Sequence, residues 1–312
     1  MVVLDKETTS MKSQPKPKRL TLDEMELSIG KKTRLYRMLY EHGPGNGTLM
    51  ILPIDQGIEH GPLNFFPNPP SENTDFQYSL ALEGGFSAIA LHIGLAEKYS
   101  RNYVGRVPLL LKINGKTNVP SDDNSFSPLT ASVEDAVRLG ADAVGYTLYA
   151  GSPSQDRDIR QLNEVRYDCE KYGMPLVVWS YPRGSAIEAK GGKDSLYAID
   201  YASRLACEFG ADVVKINIPK IDKDKMDKLP KPYNTCDLSY NDSIAKVVRS
   251  AGKTMVLFSG GSKESDEDLL KKAKAAMDNG ATGLIFGRNM WQRDMTNALN
   301  VSKQIKKMML ES

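Results

Sequence analysis

Cysteine is scarce in this sequence. Only three of its 312 residues are cysteines, and no two of them form a CxxC pair. Scattered cysteines suit a reducing compartment and argue against a disulfide framework or a cysteine zinc site. We therefore expect a cytoplasmic protein stabilised by a packed core. The cysteines are Cys169, Cys207 and Cys236.

Histidine is equally rare, at three residues, and none has the HxxxH spacing of a metal site. We expect no bound metal. A zinc site built from His60, His92 and a carboxylate is a minor alternative. His60 is predicted to contact a ligand, whereas His92 is either a polar core residue or a second ligand contact.

Long apolar runs and excess charge are also lacking. No apolar run approaches the roughly 18 to 20 residues of a membrane span. The 41 basic and 39 acidic residues leave a net charge of +2, which gives no electrostatic reason to expect nucleic acid as a partner. Hydrophobic residues at 40% and charged residues at 26% are typical of a globular protein. We expect neither a membrane nor a nucleic acid as partner.

The first 19 residues differ from the rest. They are polar and basic, and they lack the apolar core of a signal peptide. We expect residues 1–19 to be a flexible arm, or one that orders on a neighbouring subunit, and residues 20–312 to form one domain.

A helix is predicted to open that domain. Thr21 and Glu24 have the spacing of a capping box, and the glycine-rich stretch 43–47 would end the helix at about His42. Its apolar face would contain Leu27, Leu35, Met38 and Leu39.

Beyond this helix, short apolar strands alternate with helical patterns that end near a glycine. Eight such units in about 240 residues predict an α/β fold of the TIM (β/α)8 barrel type. An open, doubly wound sheet is the alternative. The predicted strands are 48–55, 86–93, 107–113, 143–149, 175–181, 212–218, 254–258 and 282–286.

Two long polar segments, 116–129 and 221–237, follow the third and sixth strands. Both would lie at the carboxyl ends of the strands, where long loops often cover active sites. Each is either a lid or a surface insertion.

A lysine interrupts the sixth strand. Lys215 stands within Val213-Val214-Lys215-Ile216, a run typical of a strand covered on both faces. Burial disfavours the ammonium form, and a neutral amine can attack a carbonyl to form a Schiff base. The alternative is a structural lysine that reaches solvent or pairs with a carboxylate.

Two turns on consecutive strands suggest a phosphate site. Ser259-Gly260-Gly261 and Gly287-Arg288 follow strands seven and eight, where barrels commonly bind phosphate through backbone N–H groups. They are otherwise tight turns, with Arg288 in a surface ion pair.

A proton donor or acceptor is predicted on strand five. Trp179 and Tyr181 share one face of it, and we expect the nearby Arg183 to favour the tyrosinate, making Tyr181 a usable acid or base. Asp55, at the end of strand one, would bind substrate hydroxyls or orient Lys215. Together these residues predict a Schiff-base aldolase that needs no cofactor beyond its lysine.

Several motifs together resemble the archaeal-type class I fructose-1,6-bisphosphate aldolases, the DhnA/FbaB-like family. The resemblance covers about residues 20 to 310. The motifs are Leu52-Pro53-Ile54-Asp55-Gln56-Gly57 with His60, Trp179-Ser180-Tyr181-Pro182-Arg183-Gly184, Val214-Lys215-Ile216-Asn217, Ser259-Gly260-Gly261 and Gly287-Arg288.

The resemblance implies a metal-independent cleavage of fructose 1,6-bisphosphate, within glycolysis or gluconeogenesis, by a homo-oligomer that is often a decamer. It implies Lys215 as the Schiff-base residue, Tyr181 as general acid/base and Trp179 beside them. A related aldolase, transaldolase or acyl transferase acting on another sugar phosphate is the alternative, against which Trp179 argues. The implied substrate contacts are Asp55, Gln56, His60, Arg183, Ile216, Asn217, Ser259, Gly260, Gly261, Gly287 and Arg288.

Overall fold

The computed structural model describes residues 13–312, so the first part of the expected arm lies outside the described residues. The remainder of the arm packs on the barrel. Ser13 Oγ donates to Asp242 Oδ1 at 2.7 Å, and Arg19 Nε donates to the Ala281 carbonyl at 3.2 Å.

Eight parallel strands form a closed barrel in sequence order. The last strand pairs with the first through Leu49 with Gly283 and Ile51 with Ile285, which excludes the open-sheet alternative. The TIM barrel is therefore confirmed. Its strands are β1 Leu49–Pro53, β2 Ala88–His92, β3 Leu109–Lys112, β4 Ala143–Ala150, β5 Leu176–Pro182, β6 Val213–Asn217, β7 Met255–Ser259 and β8 Gly283–Ile285. Five strands are slightly shorter than predicted, β4 is one residue longer, and β5 and β7 are shifted by one residue.

Helices surround the barrel, and each strand therefore has two buried faces. Outward side chains such as Val178 and Ile216 pack against helices, whereas inward ones such as Val177 and Leu257 fill the barrel. This explains why the strands are continuously apolar in sequence. The helices are α1 Ile29–Tyr36, α2 Gln56–His60, α3 Thr74–Glu83, α4 Ile93–Tyr99, α5 Val133–Arg138, α6 Gln155–Tyr172, α7 Ser185–Glu188, α8 Leu196–Glu208, α9 Tyr240–Ser250, α10 Asp266–Asp278, α11 Arg288–Trp291 and α12 Met295–Leu310.

The amino-terminal end of the barrel is closed by α1 and the π-helical turn Arg37–Glu41 that continues it. Leu35, Met38 and Leu39 are fully buried there, in the same cluster as the inward residues of the strands. The barrel therefore opens only at the carboxyl ends of its strands. No helix within residues 13–312 is both long enough and apolar enough to cross a bilayer.

The predicted start of this helix was wrong. Thr21 and Glu24 do form a capping box, but it closes only the 3-10 turn Leu22–Glu24. Met25 is extended, and α1 begins after Ser28. Leu22 and Met25 both bury their side chains in the inner core, and the chain bends to place them there.

An ion pair joins α1 to β6. Lys31 is 1% exposed, and its Nζ lies 2.9 Å from Asp212 Oδ2. It also pairs with Glu170. The Asp212 carboxylate also accepts a hydrogen bond from the Leu176 backbone N–H at 2.8 Å.

Removal of this lysine should destabilise the fold. In Lys31→Met the buried Asp212 carboxylate loses its cation, so we expect the free energy of unfolding to fall by about 3–5 kcal/mol. Urea denaturation followed by circular dichroism measures this. Lys32→Met is the control, since Lys32 pairs with Asp23, a side chain that is 89% exposed. Equal stabilities for the two variants would contradict the prediction.

Candidate active site

The inward side chains at the open end of the barrel come from adjacent strands. Trp179 on β5 is paired in register with Lys215 on β6, and Tyr181 lies two residues further along β5. Two-residue alternation points all three into the barrel mouth. The TIM barrel predicted from the sequence makes strands five and six neighbours, and their register confirms it.

Lys215 is buried, at 5% exposed, and its Nζ donates a hydrogen bond to Tyr181 Oη. It has no salt-bridge partner within residues 13–312. Burial lowers its pKa to about 8, outweighing the nearby carboxylates of Asp55 and Glu59, which act to raise it. A structural lysine that reaches solvent or pairs with a carboxylate does not describe this geometry.

Tyr181 keeps its proton at neutral pH. Burial raises its pKa well above its usual value, and the charges of Glu59 and Asp55 add to this. The Arg183 guanidinium lies 5.3 Å from the ring centroid and acts in the opposite direction. The expected direction of the Arg183 effect is confirmed, but burial has the larger effect, and the phenol is therefore the favoured form.

The loop after β1 brings three predicted residues to the rim, on or next to α2. Asp55 Oδ1 and Gln56 Oε1 are buried and have no hydrogen-bond partner among residues 13–312. His60 Nδ1 lies 3.2 Å from Asn118 Nδ2, and burial lowers the pKa of His60. The first two residues therefore offer unused acceptors, and His60 is a neutral ring at pH 7.

The turns after β7 and β8 are held together. Arg288 Nη2 donates to the Gly261 carbonyl at 3.1 Å. At the end of β7, Ser259 Oγ donates to Asn217 Oδ1 at 2.6 Å, and Asn217 Nδ2 donates to Asp194 Oδ1 at 3.1 Å. The predicted phosphate residues thus lie side by side, with the guanidinium at the turn.

Comparison with known proteins gives the family. Residues 49–293, most of the chain, match the DeoC/LacD family aldolase. The chain belongs to this family.

Two named relatives support the assignment. A class 1 fructose-bisphosphate aldolase of Thermoproteus tenax is 40% identical to this aldolase over 248 residues, covering 79% of this chain and 84% of the relative. The class 1 fructose-bisphosphate aldolase of Halobacterium salinarum is 36% identical over 249 residues, covering 80% and 86%.

Solved structures agree. A Schiff base forming fructose-1,6-bisphosphate aldolase superposes with a TM-score of 0.75 at 36% identity, covering 88% of this chain and 99% of its own. An archaeal aldolase with the catalytic lysine covalently bound to a carbinolamine intermediate matches equally well. The fructose-bisphosphate aldolase of Slackia heliotrinireducens gives a TM-score of 0.80 at 25% identity, covering 94% and 92%.

One predicted substrate contact of the aldolase has its side chain outside the barrel mouth. Ile216 is fully buried in the layer between the sheet and the helices. Alternation along β6 turns its side chain away from the mouth to which Lys215 points. The side chain is therefore not placed to touch the substrate, and the predicted contact at this position stays a prediction for the backbone.

One residue of the site received no role from the sequence, although it stands at the end of strand three. Lys112 on β3 is 2% exposed, and its Nζ lies 5.1 Å from the centroid of the Trp179 ring. The signal was available in the sequence, because Lys112 interrupts an apolar strand just as Lys215 does.

The two long loops differ in position. The segment 116–129 lies at the mouth, where Asp122 Oδ2 is 3.6 Å from Arg183 Nε. The segment 221–237 instead packs on α8, where Tyr233 Oη donates to Asp200 Oδ2 at 2.6 Å. Only the first occupies the position of a lid, and its closure stays a prediction.

His92 lies inside the mouth, 8% exposed, and burial lowers its pKa to about 4, so that it is neutral at pH 7. Within residues 13–312, no group of three or more His, Cys, Asp or Glu side chains is placed to hold a metal ion. The alternative zinc site of His60, His92 and a carboxylate is therefore not assembled among these residues.

A methyl group at Gly287 should damage the phosphate turn. A Cβ there would lie 2.8 Å from both Gln56 Nε2 and the Pro53 carbonyl oxygen, and the backbone carbonyl cannot move away cheaply. We expect Gly287→Ala to raise KM about tenfold, from a strain of roughly 1–3 kcal/mol at the turn.

Steady-state kinetics with a phosphorylated substrate measures this change. Gly94→Ala is the control, because a Cβ at Gly94, in α4, meets nothing within 4 Å. A normal KM in Gly287→Ala would show that the turn does not hold the substrate.

Proposed function

We propose that this protein is a class I fructose-bisphosphate aldolase, which reversibly cleaves fructose 1,6-bisphosphate to dihydroxyacetone phosphate and glyceraldehyde 3-phosphate. The observation that carries the proposal is the hydrogen bond between Lys215 Nζ and Tyr181 Oη inside the barrel mouth. This contact supports a role for the amine as nucleophile and for the neighbouring phenol as proton donor to the group that the amine attacks. The named relatives support the choice of substrate.

The turns that follow β7 and β8 hold one phosphate of the substrate. Gly261 and Gly287 supply N–H groups free of side-chain obstruction, and Arg288 supplies charge. Arg183, on the β5 side of the mouth, is a candidate for the second phosphate. Asp55 and Gln56 have acceptors free for the sugar hydroxyls.

The reaction begins at the ketone. The Lys215 amine adds to C2, giving a carbinolamine. The Tyr181 phenol protonates its hydroxyl, which leaves as water, and the nitrogen lone pair completes the iminium. The tyrosinate formed in this step lies beside the new positive charge, which stabilises it.

Carbon–carbon cleavage follows. The tyrosinate takes the proton of the C4 hydroxyl, the C3–C4 bond breaks, and its electron pair moves into the iminium to give an enamine. Glyceraldehyde 3-phosphate leaves. Tyr181 then returns the proton to C3. Water hydrolyses the iminium to release dihydroxyacetone phosphate and regenerate the amine, and the tyrosinate takes up the proton that this step sets free.

Borohydride trapping tests the proposal. Reduction in the presence of dihydroxyacetone phosphate should fix a substrate-sized mass on the peptide that contains Lys215, and turnover of fructose 1,6-bisphosphate should persist in EDTA. A panel of other sugar phosphates separates the related reactions of this family. Turnover of another sugar phosphate without turnover of fructose 1,6-bisphosphate would overturn the choice of substrate.

The pH dependence should follow Lys215. Its pKa is lowered to about 8, and only the unprotonated amine attacks the ketone. The rate of adduct formation should therefore be low at pH 6, rise through about pH 8 and level off above it. Single-turnover trapping by cyanoborohydride measures this profile. A profile that stays flat between pH 6 and 9 would contradict it.

The reaction places the enzyme in glycolysis or gluconeogenesis, and we propose a cytoplasmic homo-oligomer. Apolar side chains on the surface of the amino-terminal helix support assembly, since Ile29 is 87% exposed and Tyr36 49% exposed. Light scattering tests it. A monomer at micromolar concentration would overturn the oligomer.

A further inference from the structure

Lys112 is a second buried lysine that the reaction above does not use. It extends inward from β3, which is separated only by β4 from the strand that carries Trp179, and it is 2% exposed. The space beside it exists because residue 145 is glycine. A Cβ there would lie 2.9 Å from Lys112 Cδ and 2.8 Å from Trp179 Cζ3. The lysine stem and the indole therefore pack tightly over Gly145.

The Lys112 ammonium is fully hydrogen-bonded. Nζ donates to Thr147 Oγ1 at 2.6 Å, to the Asn114 carbonyl at 3.1 Å and to Asn114 Oδ1 at 3.3 Å. Three acceptors match the three N–H groups of an ammonium, whereas a neutral amine has two. Asn114 is itself fixed, since its Oδ1 also accepts the Thr147 N–H at 2.7 Å. Burial lowers the pKa of Lys112 to about 8, which still leaves the side chain mostly protonated at pH 7, and the three acceptors hold that charge in one place.

The amino group of Lys215 makes far fewer hydrogen bonds than that of Lys112. Among residues 13–312 its Nζ donates only to Tyr181 Oη. The same indole contacts both amino groups, because Lys215 Nζ lies 5.3 Å and Lys112 Nζ 5.1 Å from the centroid of the Trp179 ring. One lysine is free to react, and the other is fixed on the same ring.

We propose that Lys112 is a positioning residue, a fixed cation that holds the Trp179 ring against Lys215 and favours the unprotonated amine of Lys215. The inference rests on the proposed Schiff-base function, which it deepens. A cation held over an indole is attracted to the ring face and restrains it. A second positive charge on that ring disfavours the Lys215 ammonium by like-charge repulsion in a buried site.

The surrounding charges oppose one another. Asp55 and Glu59 favour the Lys215 ammonium, whereas Lys112 and Arg288 disfavour it, and the uncharged Tyr181 phenol faces it directly. Loss of Lys112 leaves two carboxylates against one guanidinium. The direction of the effect is therefore fixed: the amine should become harder to deprotonate.

Competitive labelling tests this directly. Wild type and Lys112→Met are treated with acetic anhydride from pH 6 to 10, and acetylation of Lys215 is quantified by peptide mass spectrometry. We expect the midpoint to rise by about one pH unit, a roughly tenfold loss of labelling at pH 7 that recovers at pH 10. Adduct formation with dihydroxyacetone phosphate should show the same shift.

Thr147→Val is a second variant that keeps the proposal testable if Lys112→Met does not fold. It removes the shortest of the three hydrogen bonds while leaving both lysines, so we expect a smaller shift in the same direction. Lys98→Met, at an exposed position on α4, controls for net charge and should leave the profile in place. An unchanged Lys215 profile in folded Lys112→Met or Thr147→Val overturns the proposal.

The labelling does not depend on turnover. If the wild type forms no adduct with any sugar phosphate, the proposed function fails even where labelling shifts as expected. If adducts form and labelling does not shift, only the role of Lys112 fails.

Discussion

Lys215→Met should abolish turnover without unfolding the protein. The amine is the attacking group, so we expect kcat to fall on the order of 10⁴-fold or more. Met has a similar length and carries no charge to bury, so the melting temperature should not decrease. Steady-state cleavage of fructose 1,6-bisphosphate and differential scanning calorimetry measure the two quantities. Borohydride with dihydroxyacetone phosphate should then add no mass to the protein.

The matched control is Lys223→Met, an exposed lysine in the loop after β6, which should retain activity. One result would contradict this prediction decisively. If Lys215→Met still gives a trapped adduct, now on Lys112, the assignment of the reactive lysine is wrong. Peptide mapping distinguishes the two lysines because β3 and β6 fall in different tryptic fragments.

The fold was predictable because local signals repeat. Each strand is buried on both faces by the closed barrel and its helices, so it is apolar throughout, and the polar residues that follow it mark the open end. The amino-terminal helix was less predictable. The Thr21 capping box is a true local signal, yet burial of Leu22 and Met25 in the barrel outweighs it and bends the chain.

The site was predictable where alternation and strand order suffice. They place Lys215 beside Trp179, and Tyr181 two residues further along β5. The sequence could not show which of two opposing effects on the pKa of the Tyr181 phenol is the larger. Arg183 and burial act in opposite directions on the pKa of Tyr181, and only the structure shows that burial has the larger effect.

Lys112 illustrates a second limit. Sequence reveals a lysine within an apolar strand, as it does for Lys215. It does not reveal that one Nζ has three acceptors and the other has a single phenol. Residues 114 and 147 supply those acceptors from β3's end and from β4, and only the register between the strands brings them together.

Tyr181→Phe should separate proton transfer from nucleophilic attack. The variant keeps the ring and loses the phenol, so we expect kcat to fall about 10²- to 10⁴-fold, the range for loss of a general acid or base. Lys215 remains, and borohydride should still trap dihydroxyacetone phosphate on it, at a lower rate because the carbinolamine loses its proton donor.

Tyr149→Phe is the matched control for this change. Tyr149 is paired in register with Tyr181 and is 2% exposed, but its Oη accepts from Ser127 Oγ rather than from Lys215. We expect less than a tenfold effect there, since no proton of the reaction passes through it. Equal losses in the two variants would mean that both phenols act through packing. A loss confined to Tyr181→Phe, with trapping retained, would place the missing step after the attack by Lys215.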